Sequence, residues 1–137
     1  MSEALRELAR FLPALEQAGF QAGTWAGMEE IEPRVFTMPY VRYSGLVDAL
    51  VHAAYEHGWV RSDFDWGTWK DTEEAKELRD DPEALAAARP EQLARMLTTV
   101  IRQDRFVEGA LLSAFETGMI LRIVRRAAAL LAAHEGP

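Results

Sequence analysis

Along most of this chain, hydrophobic side chains recur at three- and four-residue intervals, the period of a helix with one face turned toward a core. Leu5, Leu8, Leu12 and Leu15 form the first such series, with Ser2 placed as an N-cap and Gly19 as a left-handed stop. Pro13 falls inside the series and predicts a kink or a division. A second helix is predicted over 44–57, with Val47, Leu50, Val51 and Ala54 on one face and Gly58 ending it. Asp71 followed by Glu74 reads as a capping box that opens a short acidic helix. Pro82 sits at the first position of the next helix, capped by Asp81. Pro90 opens a stronger helix whose apolar face is Leu93, Met96, Leu97, Val100 and Ile101, and it runs into a long apolar segment over 106–133 bent at Gly118.

Between 19 and 43 the helical period disappears. Gly23, Gly27, Pro33 and Pro39 punctuate the segment, and only 34–38 reads as a short extended piece. A connection of that length is unusual in a small domain and often frames a site. The expected architecture is therefore all-α: a single domain over 1–137, with an N-terminal helix over 1–18, an irregular connection over 19–43 and a helical core over 44–134. Five to seven helices surround one core in this reading. A chain of 137 residues buries roughly two-thirds of its unfolded surface, enough to fold without disulfides or metals.

Composition adds exclusions. Hydrophobic residues make up 49% and charged residues 27%, close to the globular average, so neither disorder nor a fibrous repeat is expected. The absence of cysteine removes disulfide frameworks, thiolate metal sites and cysteine nucleophiles. The first ten residues carry Glu3 and Glu7 among leucines, unlike the basic start and apolar run of a secretory leader. The apolar C-terminal segment is interrupted by Arg122, Arg125 and Arg126, so no membrane span is expected and the expected location is cytoplasmic. A net charge of -7 disfavours nucleic acid, whose binding depends on clustered cations. Arg102, Arg105, Arg122, Arg125 and Arg126 nevertheless crowd the last third of the chain. Thirteen of the 15 basic residues are arginine, which suits bidentate pairing with carboxylates or phosphates and is equally what a GC-rich coding sequence produces.

The familiar catalytic fingerprints are missing: no phosphate-binding loop, no dinucleotide glycine motif, no nucleophile elbow and no H-E-x-x-H. Asp48, His52 and Glu56 lie at four-residue steps and offer three metal-ligand types on one helical stripe, set against the plainer reading of a solvated helix face. The run from Arg102 to Glu108 is harder to explain by packing. Asp104 shares the azimuth of Leu93, Leu97 and Val100, so a helix continuing through it would push a carboxylate into the core. Either the helix ends near Gln103 and Asp104 caps the next, or Asp104 and Glu108 hold Arg102 or Arg105 in a cleft that binds an anion. Trp66 and Trp69, three residues apart, read as core aromatic packing, or Asp65, Trp66 and Trp69 line a ligand pocket or stack on a base. Gly109, Ser113 and Thr117, with Ala110, Ala114 and Gly118 beside them, form small-residue stripes that suit close helix packing, a groove or a subunit contact.

Three segments, Gly58-Trp59-Val60, Phe64-Asp65-Trp66-x-x-Trp69 and Leu97-Thr98-x-x-Ile101-Arg102-Gln103-Asp104-Arg105-Phe106-Val107-Glu108-Gly109-Ala110, together resemble an uncharacterised bacterial group, the domain of unknown function numbered 6508. The likeness covers about 43–130, and its arginine-rich stretch is the specific part. The resemblance implies a single small helical domain and supplies no activity and no catalytic residue.

The leading functional expectation is a non-enzymatic binding or protein-interaction domain that needs no cofactor. It self-associates through the C-terminal helix, where Ala127, Ala128, Leu131 and Ala132 offer more apolar surface than one face needs. The alternative is a small enzyme or a domain that binds a small anionic ligand, with a pocket formed by the Asp65–Trp69 turn and the Arg102–Glu108 junction. Its candidate ligand-binding residues are Asp65, Trp66, Trp69, Arg102, Asp104, Arg105 and Glu108. Nucleic-acid binding through the C-terminal arginines is the weakest of the three.

Overall fold

A computed structural model of the chain describes residues 2–135, so residue 1 and residues 136–137 of the expected domain lie outside it. The helices in chain order are α1 (Ser2–Ala9), α2 (Leu12–Leu15), α3 (Gly45–Glu56), α4 (Trp66–Trp69), α5 (Glu73–Asp80), α6 (Pro82–Ala86), α7 (Pro90–Gln103), α8 (Ala110–Glu116) and α9 (Met119–Glu135). Four strands, β1 (Gly23–Ala26), β2 (Glu30–Glu32), β3 (Val35–Phe36) and β4 (Tyr40–Tyr43), lie between α2 and α3. The all-α expectation is thereby overturned: the fold is mixed, a helical body with two small antiparallel sheets. The helices also exceed the expected five to seven, because several are a single turn.

Helix α9 is the axis of the body. Its apolar stripe of Ile120, Ile123, Val124 and Ala127 is fully buried, with α1, α2, α6 and α8 packed around it. Helix α7 adds Leu93, Leu97 and Ile101 to the same core. Each of the two leucines is entirely covered and contributes about 1.5–3 kcal/mol by leaving water. Trp59, 2% exposed, closes one side and donates its indole N–H to the carbonyl of Ala4 at 2.9 Å.

Local signals account for most helix boundaries. The Ser44 hydroxyl accepts from the Val47 amide at the start of α3, and Gly58 leaves that helix at φ +79°. Asp81 accepts from the Glu83 amide, with Pro82 in the first position of α6. Several boundaries differ from the sequence reading: the N-terminal series stops at Leu15 rather than near Gly19, and the apolar segment over 106–133 is two helices, α8 and α9, that begin only at Ala110. The N-terminal helix divides at Arg10 and Phe11 rather than at Pro13, which sits in the first turn of α2, where a missing N–H costs nothing. Helix α5 is capped by Thr72, not Asp71: the threonine hydroxyl accepts from the Ala75 amide and donates to the Trp69 carbonyl. Glu74 is thereby released for other partners.

The largest correction concerns 19–43, expected to be irregular. Strand β1 pairs antiparallel with β4, Gly23 opposite Tyr43 through Ala26 opposite Tyr40, and β2 pairs with β3 across a register shift. Hydrogen bonds from the Met28 amide to the Thr37 carbonyl and from the Thr37 amide to the Glu29 carbonyl bridge the two pairs, so the segment is one long two-stranded arm. The glycines and prolines read as breakers are its turn and bulge residues. Gly27, at φ +92°, lies where any Cβ would overlap the Met38 carbonyl. At the tip, Arg34 adopts φ +65° and its amide donates to the Glu30 carboxylate at 3.0 Å. A strand with one buried face alternates in hydrophobicity. This arm does not, because the described residues of β2 and β3 are exposed on both sides.

Candidate functional site

The arm meets the helical body at the junction between α7 and α8, the stretch singled out in the sequence. Helix α7 ends at Gln103, and Asp104 sits just beyond it. One carboxylate oxygen of Asp104 accepts from the Leu111 amide at 3.0 Å, in the first turn of α8, and from the Tyr43 hydroxyl at 2.8 Å, at the end of β4. The same hydroxyl accepts from the Leu112 amide at 3.1 Å. Burial holds the Tyr43 phenol above its ordinary pKa, and the hydrogen bond to Asp104 and that group's charge push it further. Asp104 is thus a cap for α8 and an anchor for the arm at once.

Two further contacts fasten the same base. Glu108 accepts from the Val41 amide of β4 at 2.7 Å, occupying an outward N–H that no strand pairs. Gly109, in the left-handed region at φ +89°, lies flat against the Trp25 indole, which a Cβ would approach to 2.5 Å. Tyr43, Val41 and Trp25 all belong to the segment that the sequence left irregular, so no local signal pointed to them as partners of the junction.

The other sequence candidates distribute as follows. Arg105 is exposed and donates to the Tyr55 hydroxyl at 3.1 Å. With Asp104, Tyr43, Asp48 and His52 it lines an open cleft of about 430 Å³ between α3 and the junction. Arg102 is half-buried in the last turn of α7, its Nε shielded from solvent and without an acceptor. On the metal candidates, His52 faces Glu56 at 3.3 Å while Asp48 lines the cleft. Among the described residues, no group of three metal-ligating side chains converges.

The aromatic turn serves α4 and α5. Asp65 caps α4 by accepting from the amide and hydroxyl of Thr68, and these bonds hold its carboxyl below the usual range. The Trp69 indole donates to Glu74 at 2.7 Å, and Arg95 and Gln92 donate to the same carboxylate. Foremost among these, the indole bond keeps Glu74 ionised below its usual pKa. Trp69 lines a cleft of about 350 Å³ with Arg79, Met96 and Gln103, separate from the one that Asp104 and Arg105 line. The turn touches the junction through Trp66, whose ring stacks on Phe106 at 6.1 Å between centroids.

What the junction holds up is apolar. Trp25, Met28, Ile31, Val35, Phe36 and Met38 on the arm are between 44% and 82% exposed, and Phe106 and Val107 at its base are 76% and 51% exposed. Scattered single apolar residues on a surface are ordinary, but most of the exposed large apolar side chains gather on the arm and its base.

A family model described as "Family of unknown function (DUF6508)" matches residues 1–133. The match therefore extends through the arm and the first helices, which the resemblance over 43–130 left out. No curated protein and no solved structure matches the chain. Among the described residues, no helix is long and apolar enough to cross a membrane.

Proposed function

This chain belongs to the DUF6508 family, and we propose that it is a non-enzymatic interaction module that pairs with a second copy of itself through the β-hairpin arm. The observation that carries this reading is the exposed apolar ribbon. A two-stranded hairpin is only marginally stable alone in water and needs a face to pack on. Here the base of the arm packs on the body through Val41 and Tyr43, whereas its distal strands β2 and β3 are exposed along their described length and end in open ribbon edges.

Magnitude favours a second copy. The accessible surface is 8115 Å², some 900 Å² above the roughly 7,200 Å² of a compact monomer of 15.4 kDa. The excess is what a ribbon standing off the body adds, and it leaves apolar area of the size a partner can cover. Charge favours it too: Glu29, Glu30 and Glu32 share the ribbon with Arg34 and Arg42, so two ribbons related by a two-fold axis can set acid against base. The C-terminal helix is the weaker candidate, because Ala127 is fully buried and Leu130 and Leu131 pack against the core.

Light scattering coupled to size exclusion tests the reading. The wild-type chain is expected to elute as a dimer, and the double substitution Phe36→Ser, Met38→Ser as a monomer with unchanged far-ultraviolet circular dichroism. A wild-type monomer at high micromolar concentration, or a dimer untouched by the double substitution, overturns it.

A further inference from the structure

Arg122, Arg125, Arg126 and Ala129 occupy positions i, i+3, i+4 and i+7 of α9 and so share a stripe of that helix. Across from them are Pro82 and Ala86 of α6, and the cleft between the two helices measures about 350 Å³. Its floor is hydrocarbon and its rim is guanidinium.

The three arginines are not equivalent. Arg125 is neutralised by Glu16, to which it donates two hydrogen bonds of 3.1 and 3.0 Å. Arg126 is fixed by donating its Nε–H to the Ala88 carbonyl at 2.7 Å. Arg122 donates through Nη1 to the Thr117 carbonyl at 3.3 Å, and its Nε is shielded from solvent without an acceptor. Neither Arg122 nor Arg126 has a carboxylate within ion-pairing distance among the described residues. In a chain with a net charge of -7, two half-buried cations lacking a counterion stand out, because a partly desolvated charge is costly until paired.

We propose that the cleft between α6 and α9 binds a small aliphatic carboxylate, with Arg122 and Arg126 on the carboxylate and Pro82, Ala86 and Ala129 against the hydrocarbon. A guanidinium presents a planar fork of donors that matches a carboxylate. An inorganic anion satisfies the rim but gains nothing from the floor, and a neutral alkane does the reverse. Only a ligand with both parts uses both, and the cleft volume is at the small end of ligand sites. This site stands apart from the arm and holds whether or not the chain dimerises.

Isothermal titration calorimetry with sodium decanoate below its micellar concentration is the direct test, with sodium acetate, inorganic phosphate and decanol as comparison probes. Decanoate is expected to bind saturably at one site per chain, about tenfold or more tighter than each comparison probe. Arg122→Gln is expected to weaken decanoate about tenfold, and Ala129→Trp, which fills the cleft from an exposed position, to abolish binding without altering the melting temperature. No saturable decanoate binding, phosphate or decanol binding as tightly as decanoate, or decanoate affinity unchanged in Ala129→Trp overturns the proposal.

Discussion

The Tyr43 hydroxyl donates to the Asp104 carboxylate across 2.8 Å, joining the end of the arm to the residue that follows α7. The two residues are separated by 61 positions in the chain, and the same hydroxyl also receives the Leu112 amide. Tyr43→Phe therefore strands an amide and removes one of the donors to Asp104. Unfolding in urea is expected to show a loss of about 1–3 kcal/mol. A double-mutant cycle with Asp104→Asn is expected to give a coupling of at least ~0.5 kcal/mol; strict additivity would show that the contact contributes nothing.

The same phenol sets an alkaline limit. Its folded pKa is raised by burial and by Asp104, so its contribution to stability is fully present below the unfolded tyrosine value of about 10. Stability is lost as pH rises above that value, because the unfolded chain releases a proton that the folded chain retains. Urea midpoints measured from pH 8 to 11 are expected to fall more steeply for the wild type than for Tyr43→Phe. Parallel curves would refute this.

Glu74 acts in the opposite direction. Its folded pKa is depressed, chiefly by the Trp69 indole, with Gln92 and Arg95 adding to it. Its contribution is present above the ordinary glutamate value of about 4.3 and is lost as pH falls through the lower folded value. Glu74→Gln is expected to flatten the acid limb of the stability curve between pH 5 and 3 and to change Trp69 fluorescence. An acid limb identical to the wild type would count against the assignment.

Gly109→Ala is expected to destabilise by more than about 1 kcal/mol, the ordinary cost of forcing an alanine into the left-handed region, because the new methyl also meets Trp25. Repeating the substitution in a Trp25→Ala background isolates the steric part. If the penalty is equal in both backgrounds, the indole does not rest on Gly109 in solution.

Thr98 is fully buried and polar. Its hydroxyl accepts from the Arg61 amide at 2.9 Å and lies 2.7 Å from the Ala94 carbonyl, to which it donates. Thr98→Val preserves the shape but strands the Arg61 amide, so a loss of about 1–3 kcal/mol is expected, together with faster amide exchange at Arg61. Protection unchanged at that amide would rule the tether out.

The sequence by itself determined the helical body. Leu5 and Leu8, and Leu93 and Leu97, announce their elements by three- and four-residue spacing, and Ser44, Asp81, Pro82 and Gly58 mark ends through interactions spanning a few residues. Such signals are local, so they can be read without knowing the fold. Asp104 was legible as an anomaly, and its role as a cap for α8 was among the alternatives; its second role, holding Tyr43, was not. Of the arm only the extended piece over 34–38, which holds β3, was legible, for a physical reason: β2 and β3, exposed on both faces, have no alternation to read, and the glycines and prolines resemble loop punctuation until strand pairing gives them a register. The separation of Trp69 from the Asp104 and Arg105 cleft, and the meeting of Arg122 and Arg126 with Pro82 and Ala86, depend on contacts between distant segments. Only tertiary packing, which decides which faces of α6, α7 and α9 look at one another, could place them.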